Sequence, residues 1–172
     1  LDYVEVAEEL ENNNCDADLS FTPCNVETDL TLNTGTYDTT GTIYVMENAT
    51  LYGNDSTIRG SSTYCVILNA TNSGVEDITF NAVNGVIAGI GVSSDETRAN
   101  NIDFVGFESG EFAVYSSASS SNAYFNNLNV SGALRFAQEG TWTNIVCKNN
   151  YANFGISRPE QTNLYFENVT WN

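Results

Sequence analysis

The 172-residue chain sets 22 Asp and Glu against 5 Lys and Arg, has no His, and carries a formal net charge of -17. A third of it is Asn (24), Thr (18) and Ser (15), yet 41% is hydrophobic. That excludes a disordered chain and allows one domain with a real core. Without His, the commonest general base and transition-metal ligand are missing. The singly scattered Arg59, Arg98, Arg135, Lys148 and Arg158 form no basic patch for nucleic acid or an anionic membrane surface.

The chain opens on Leu1-Asp2-Tyr3 rather than on Met, which reads as a mature product after signal-peptide removal and predicts an extracellular or cell-surface location. Nine acids fall between Asp2 and Asp29 with no cation among them. Residues 1–28 are therefore read as a solvated, acidic cap, with Val4, Val6, Ala7 and Leu10 covering the first coil of a repeat region that begins at residue 29. Calcium is a weak expectation here, because no Asp-x-Asp-x-Asp-Gly loop is present. No other metal and no cofactor is expected. Cys15, Cys24, Cys65 and Cys147 admit three pairings, of which Cys15 with Cys24 closes a short loop around Pro23.

From residue 29 to 172 two registers repeat at about 22 residues. The first is Ile58, Phe80, Phe104, Phe125, Cys147 and Phe166, and the second is Ile43, Tyr64, Val86, Phe112, Leu134 and Phe154. The first sits in an apolar-x-Phe-x-x-apolar pattern, as in Ile78-Thr79-Phe80-Asn81-Ala82-Val83 and Ile102-Asp103-Phe104-Val105-Gly106-Phe107. Each such segment reads as a period-2 strand followed by a bend. Gly85, Gly110, Gly132 and Asn153 precede the second register and tolerate positive φ, so a corner is expected at that phase. A repeat this short cannot bury its own apolar side, whereas stacking coil on coil at about 4.8 Å buries a shared column. The prediction is an all-β parallel solenoid of six or seven coils; an antiparallel sandwich is the competing all-β arrangement. The longest apolar run, residues 85–92, falls far short of a membrane span.

The stretches Asp29-Leu-Thr-Leu-Asn-Thr-Gly-Thr-Tyr37 and Gly41-Thr-Ile-Tyr-Val-Met-Glu-Asn-Ala-Thr-Leu-Tyr-Gly-Asn-Asp-Ser-Thr-Ile-Arg-Gly60 resemble the opening coils of the right-handed parallel β-helix (pectin-lyase-like) superfamily. The resemblance implies the right-handed form of the solenoid. It extends to polysaccharide lyases, carbohydrate-binding modules and surface proteins of archaea and bacteria, and in character lies nearer the exported surface proteins than the enzymes. The Asp-Asp, Gly-His-Gly and Arg-x-Lys motifs of the polysaccharide-cleaving members are absent.

Candidate sites are few. Arg98 beside Asp95 and Glu96 is the one set from which a Ca-dependent lyase could be built; a solvated loop with a local ion pair is the plainer expectation. Tyr115, Tyr124, Tyr151 and Tyr165 form either a sugar-stacking stripe or ordinary outward decoration. The pairs Asn100-Asn101, Asn126-Asn127 and Asn149-Asn150 recur at spacings of 26 and 23, which predicts Asn stacked at one corner and bonded along the axis. Asn48, Asn54, Asn69, Asn129 and Asn168 open Asn-x-Ser/Thr triplets and are the glycosylation candidates. Random placement of the Asn, Ser and Thr gives about the same number, so the count argues nothing.

On a regular solenoid, Cys65 and Cys147 fall about three coils apart, roughly 14 Å, too far for a disulfide. They are expected as free thiols or as cross-links between protomers. The last recognisable strand, residues 164–169, is followed by three residues and reads as an open edge, expected either because the chain is trimmed from something longer or because a second copy covers it. The expected function is that of a non-enzymatic, exported structural protein that assembles with itself into a surface layer, sheath or filament. A carbohydrate-binding or lyase-like module, or an adhesin stalk, is the alternative, with surface glycans as partners.

Overall fold

A computed structural model describes residues 13–83, 86, 88–107, 111–116, 123–131, 140–148, 164–167 and 170–171. The first coil contains β1 (Cys24–Val26), β2 (Leu30–Thr31) and β3 (Thr36–Thr39). The second contains β4 (Ile43–Val45) and β5 (Thr50–Gly60), the third β6 (Tyr64–Leu68) and β7 (Gly74–Ala82), the fourth β8 (Ala88–Val92) and β9 (Arg98–Val105), and the fifth β10 (Phe112–Ser116) and β11 (Ala123–Ser131). Beyond them lie β12 (Gly140–Lys148), β13 (Leu164–Glu167) and β14 (Thr170–Trp171). Among the described residues there is no helix.

Successive coils add to two sheets. One runs β1-β4-β6-β8-β10, and the other runs from β2 and β3 through β5, β7, β9, β11 and β12 to β13 and β14. Every pairing is parallel, which makes the chain a β-solenoid and rules out the antiparallel sandwich. Five described coils contribute to both sheets, closing about four turns. The expected six or seven coils survive as levels of the larger sheet alone. β1, within the segment set apart as a cap, is already the first strand of the smaller sheet.

The core lies between the sheets as vertical files. Cys24, Ile43, Val66, Ile90 and Val114 stack in the smaller sheet. In the larger sheet Ile58, Phe80 and Phe104 stack, and all are buried. The Phe80 and Phe104 rings lie 5.7 Å apart and nearly parallel, an arrangement that adds about 0.5–1.5 kcal/mol beyond area burial.

The first register breaks at Phe125. Val130 lies on Phe104, while Phe125 lies on Ala99, on the far side of the file that Ile102 and Leu128 share. The file that Phe125 joins continues to Trp142 and Phe166, and the file of Phe104 continues through Val130 to Cys147 and Trp171. The predicted column therefore merges two files that the Ile78–Ile102–Leu128 file separates. The second register is also corrected: Ile43 pairs with Val66, and Tyr64 pairs with Ala88, which pairs with Phe112. Val86 lies outside the strands. Leu134 and Phe154 lie outside the described residues. Interior files accept any apolar side chain that fills the space, so residue type alone does not mark the phase.

What marks the phase is backbone conformation. Asn54, Asp55, Asp77, Asn101 and Asn127 have φ between 53° and 60° and bend β5, β7, β9 and β11 of the larger sheet. Asn48, Asn72 and Glu96, with φ of 55° to 61°, form a second corner between the two sheets. Asn and Asp tolerate this left-handed region better than other non-glycine residues. In β5 the bend takes three residues, Gly53 to Asp55, opposite the single Asp77. A Cβ on Gly53 would run into Ile78 and the Asp77 backbone, so glycine alone fits.

The first coil is covered by residues 14–17; Val4, Val6, Ala7 and Leu10 lie outside the described residues. Asn14 bridges Asn25, the Cys15 amide donates to Asn25 O at 2.8 Å, and the Asn33 amide donates to Ala17 O at 2.9 Å. Cys15 and Cys24 form a disulfide. The outer edge of β1 is thus paired rather than open, the usual remedy for a sheet edge.

Candidate functional site

Three surface features gather the polar and aromatic residues. The first is an open groove of about 410 Å³ along the bend of the larger sheet, lined by Asp55, Asp77, Thr79, Asn101, Asp103, Asn127 and Asn129. Its floor is a ladder of side chains at the positive-φ positions. Asn127 Nδ2 donates to Asn101 Oδ1, and Asn101 Nδ2 donates to Asp77 Oδ1 at 2.8 Å. Beside it Asn126 Nδ2 donates to Asn100 Oδ1 at 2.8 Å. This is the axial Asn stack expected from the sequence; Asn149 and Asn150 lie outside the described residues. Three Asp face this groove, yet among the described residues no group of three or more Cys, Asp or Glu is placed to hold a metal ion.

The second feature is a recess of about 400 Å³ between coils, lined by Asn72, Glu96, Arg98 and Tyr124. Two expectations that were separate in the sequence, the Arg98 set and the exposed Tyr124, meet here. Asp95 does not line the recess; its carbonyl accepts the Asn72 amide at 3.3 Å. Arg98 lies across three coils. Its NH2 donates to Thr50 Oγ1 at 2.6 Å, its NH1 to Asn72 Oδ1 at 2.7 Å and to Asn72 O at 3.2 Å, and its Nε lies 4.0 Å from Glu76 Oε1. Gly74 leaves the space through which the side chain passes, since a Cβ there would sit 2.8 Å from Arg98 Cγ. So engaged, Arg98 is a clamp between coils. Tyr124, 56% exposed, is the most exposed large hydrophobic side chain among the described residues.

The third feature is an aromatic patch outside the smaller sheet. Tyr115 lies 6.4 Å from Tyr64 and 5.4 Å from Phe112, ring centre to ring centre. Both Tyr64 and Phe112 were expected in the stacked core; both are half-buried on this outer patch. Burial, and after it the nearby Tyr115, holds the Tyr64 hydroxyl above the usual tyrosine pKa. Tyr151 lies outside the described residues, as does the side chain of Tyr165.

Cys65 is a buried free thiol whose pKa burial pushes up to about 12, so it is protonated and inert at neutral pH. Cys147 lies on β12, three levels along the larger sheet from the coil of Cys65. Among the glycosylation candidates, Asn48, Asn54 and Asn69 are exposed and Asn129 is half-buried; Asn168 lies outside the described residues. The corner residues Asn48, Asn72 and Glu96 were not recognised as a set from the sequence. Their even spacing of 24 is the signal that could have found them.

No match to this chain is found among protein-family models, curated proteins or solved structures. No helix among the described residues is long and apolar enough to cross a membrane.

Proposed function

We propose that the chain is a non-enzymatic structural protein of the cell exterior, a right-handed solenoid of the pectin-lyase-like kind that assembles with copies of itself into a layer, sheath or filament. The observation that carries this reading is the use made of the recurring polar residues. Asp77, Asn101 and Asn127 bond along the axis, Asn72 Nδ2 donates to Asn48 Oδ1 at 3.0 Å, and Arg98 ties three coils. Side chains able to do chemistry are spent on stiffness. The Cys15–Cys24 disulfide suits an oxidising compartment. A chain of net charge -17 repels its copies unless salt or divalent cations screen it. Electron microscopy and light scattering of purified chain should therefore show regular polymers as salt or Ca²⁺ is raised, and monomers at low ionic strength. A chain monomeric in every condition contradicts the reading.

A second reading, a glycan-binding module, is favoured by the recess of Asn72, Glu96, Arg98 and Tyr124. An exposed ring beside polar and charged side chains offers a sugar one apolar face and several hydrogen-bond partners. It predicts retention on a polysaccharide column that Tyr124→Ala abolishes.

A further inference from the structure

The five Asn-x-Ser/Thr triplets are equivalent in sequence, and the four whose Asn lies within the described residues are unequal in the fold. A transferase acting on a folded chain needs the acceptor amide nitrogen open and the hydroxyl two residues on within reach, which confines N-glycans to surface segments. At Asn48 the hydroxyl residue is Thr50, which is fully buried; its amide donates to Asp29 Oδ1 at 2.9 Å and its Oγ1 accepts from Arg98. At Asn54 the hydroxyl residue is Ser56, also fully buried, with Oγ donating to Asn33 O at 2.9 Å. Asn54 Nδ2 is itself engaged, donating to Thr34 Oγ1 at 3.0 Å and to Leu32 O at 3.4 Å. Asn129 is half-buried, unlike the exposed Asn48, Asn54 and Asn69.

Asn69 differs on both counts. Asn69 and Thr71 are both exposed. Asn69 Nδ2 makes a weak contact with Met46 Sδ at 3.8 Å, and the Thr71 hydroxyl meets the Ser94 hydroxyl at 3.4 Å on the surface. Both contacts lie at or beyond the long end of hydrogen-bond geometry and are lost at little cost. We propose that, of the four triplets whose Asn lies within the described residues, Asn69 is the one at which the folded protein accepts an N-linked glycan. The donor class is a lipid-pyrophosphate-linked oligosaccharide. The bond from sugar C1 to the pyrophosphate oxygen breaks, the bond from C1 to Asn69 Nδ2 forms, the lipid pyrophosphate leaves, and the Nδ2 proton passes to the transferase and then to water. The glycan would stand at the corner between the two sheets, clear of the groove at the bend. The inference rests on the exterior location proposed above.

The test supplies its own enzyme. The folded full-length chain, and the same chain reduced and held in urea before dilution into the assay, are each incubated with a single-subunit oligosaccharyltransferase and its lipid-linked donor, then mapped by peptide mass. The folded chain should gain glycan on the Asn69 peptide and show at least tenfold lower occupancy at Asn48, Asn54 and Asn129. The unfolded chain should gain glycan at Asn48 and Asn54 as well. Asn69→Gln and, independently, Thr71→Ala should each remove the Asn69 signal from the folded chain. A folded chain without glycan at Asn69, or with Asn48 or Asn54 modified as fully, overturns the proposal. Because the transferase is supplied, the outcome is independent of native location, and fractionation of the producing cell tests that separately.

Discussion

Arg98 shows how one residue acquires a structural role from its neighbours. Its guanidinium reaches Thr50, Asn72 and Glu76 on two preceding coils, and hydrogen bonds from a charged donor contribute roughly 1.5–3 kcal/mol, less at the exposed Asn72 contacts. Arg98→Ala should lower stability by about 2 kcal/mol in urea unfolding, with Arg98→Lys recovering only part, since an ammonium cannot span the same acceptors. Cys65 is the opposite case, a reactive group silenced by enclosure. Its thiol should resist iodoacetamide in the folded chain at pH 8 and react within minutes in urea, as mass measurement would show. Asp16 accepts the Ser20 amide at 2.9 Å, and that bond is the main cause holding its carboxyl below the usual value of 3.8. A carboxyl with a lowered folded pKa stabilises above its unfolded pKa and stops doing so as pH falls through the folded one. Asp16→Ala should therefore reduce melting temperature at pH 6, and the difference from the parent chain should shrink as pH falls below 3.8 and through the lowered folded value.

At the scale of the strand, the decisive device is the bend. Asp77, Asn101 and Asn127 each sit at positive φ and pass a hydrogen bond to the coil before or after. Asn101→Ala removes two of these bonds and places a Cβ-bearing residue with no side-chain compensation in the left-handed region, at about 2 kcal/mol in total. Asn101→Gly should restore the backbone share and leave the ladder broken, so its urea midpoint should fall between the parent and the Ala variant. The same bend explains what could be read beforehand. The spacing of 26 between Asn100-Asn101 and Asn126-Asn127 is the true register between β9 and β11. The spacing of 21 between Phe104 and Phe125 is not. Both patterns were visible and they conflict; the Asn pattern holds because few residues tolerate its backbone, whereas an interior file takes Phe, Val or Ala alike. The Arg98–Tyr124 recess was illegible in sequence, since it forms only when β9 and β11 pair in that register.

For the whole molecule, stability is nearly one-dimensional, each coil resting on its neighbours. Phe80 and Phe104 are fully enclosed in the same file, so truncating either to Ala should cost about 3–5 kcal/mol. Their double variant should depart from additivity because the rings touch. The central claim is that parallel coils are held in the register set by the Asn ladder. Backbone nuclear Overhauser effects in isotopically labelled chain test it most directly. Contacts linking Ile102 to Leu128 and Phe104 to Val130 are the predicted result; contacts linking Ile102 to Ala123 and Phe104 backbone to Phe125 backbone, the register of a 21-residue repeat, would contradict it.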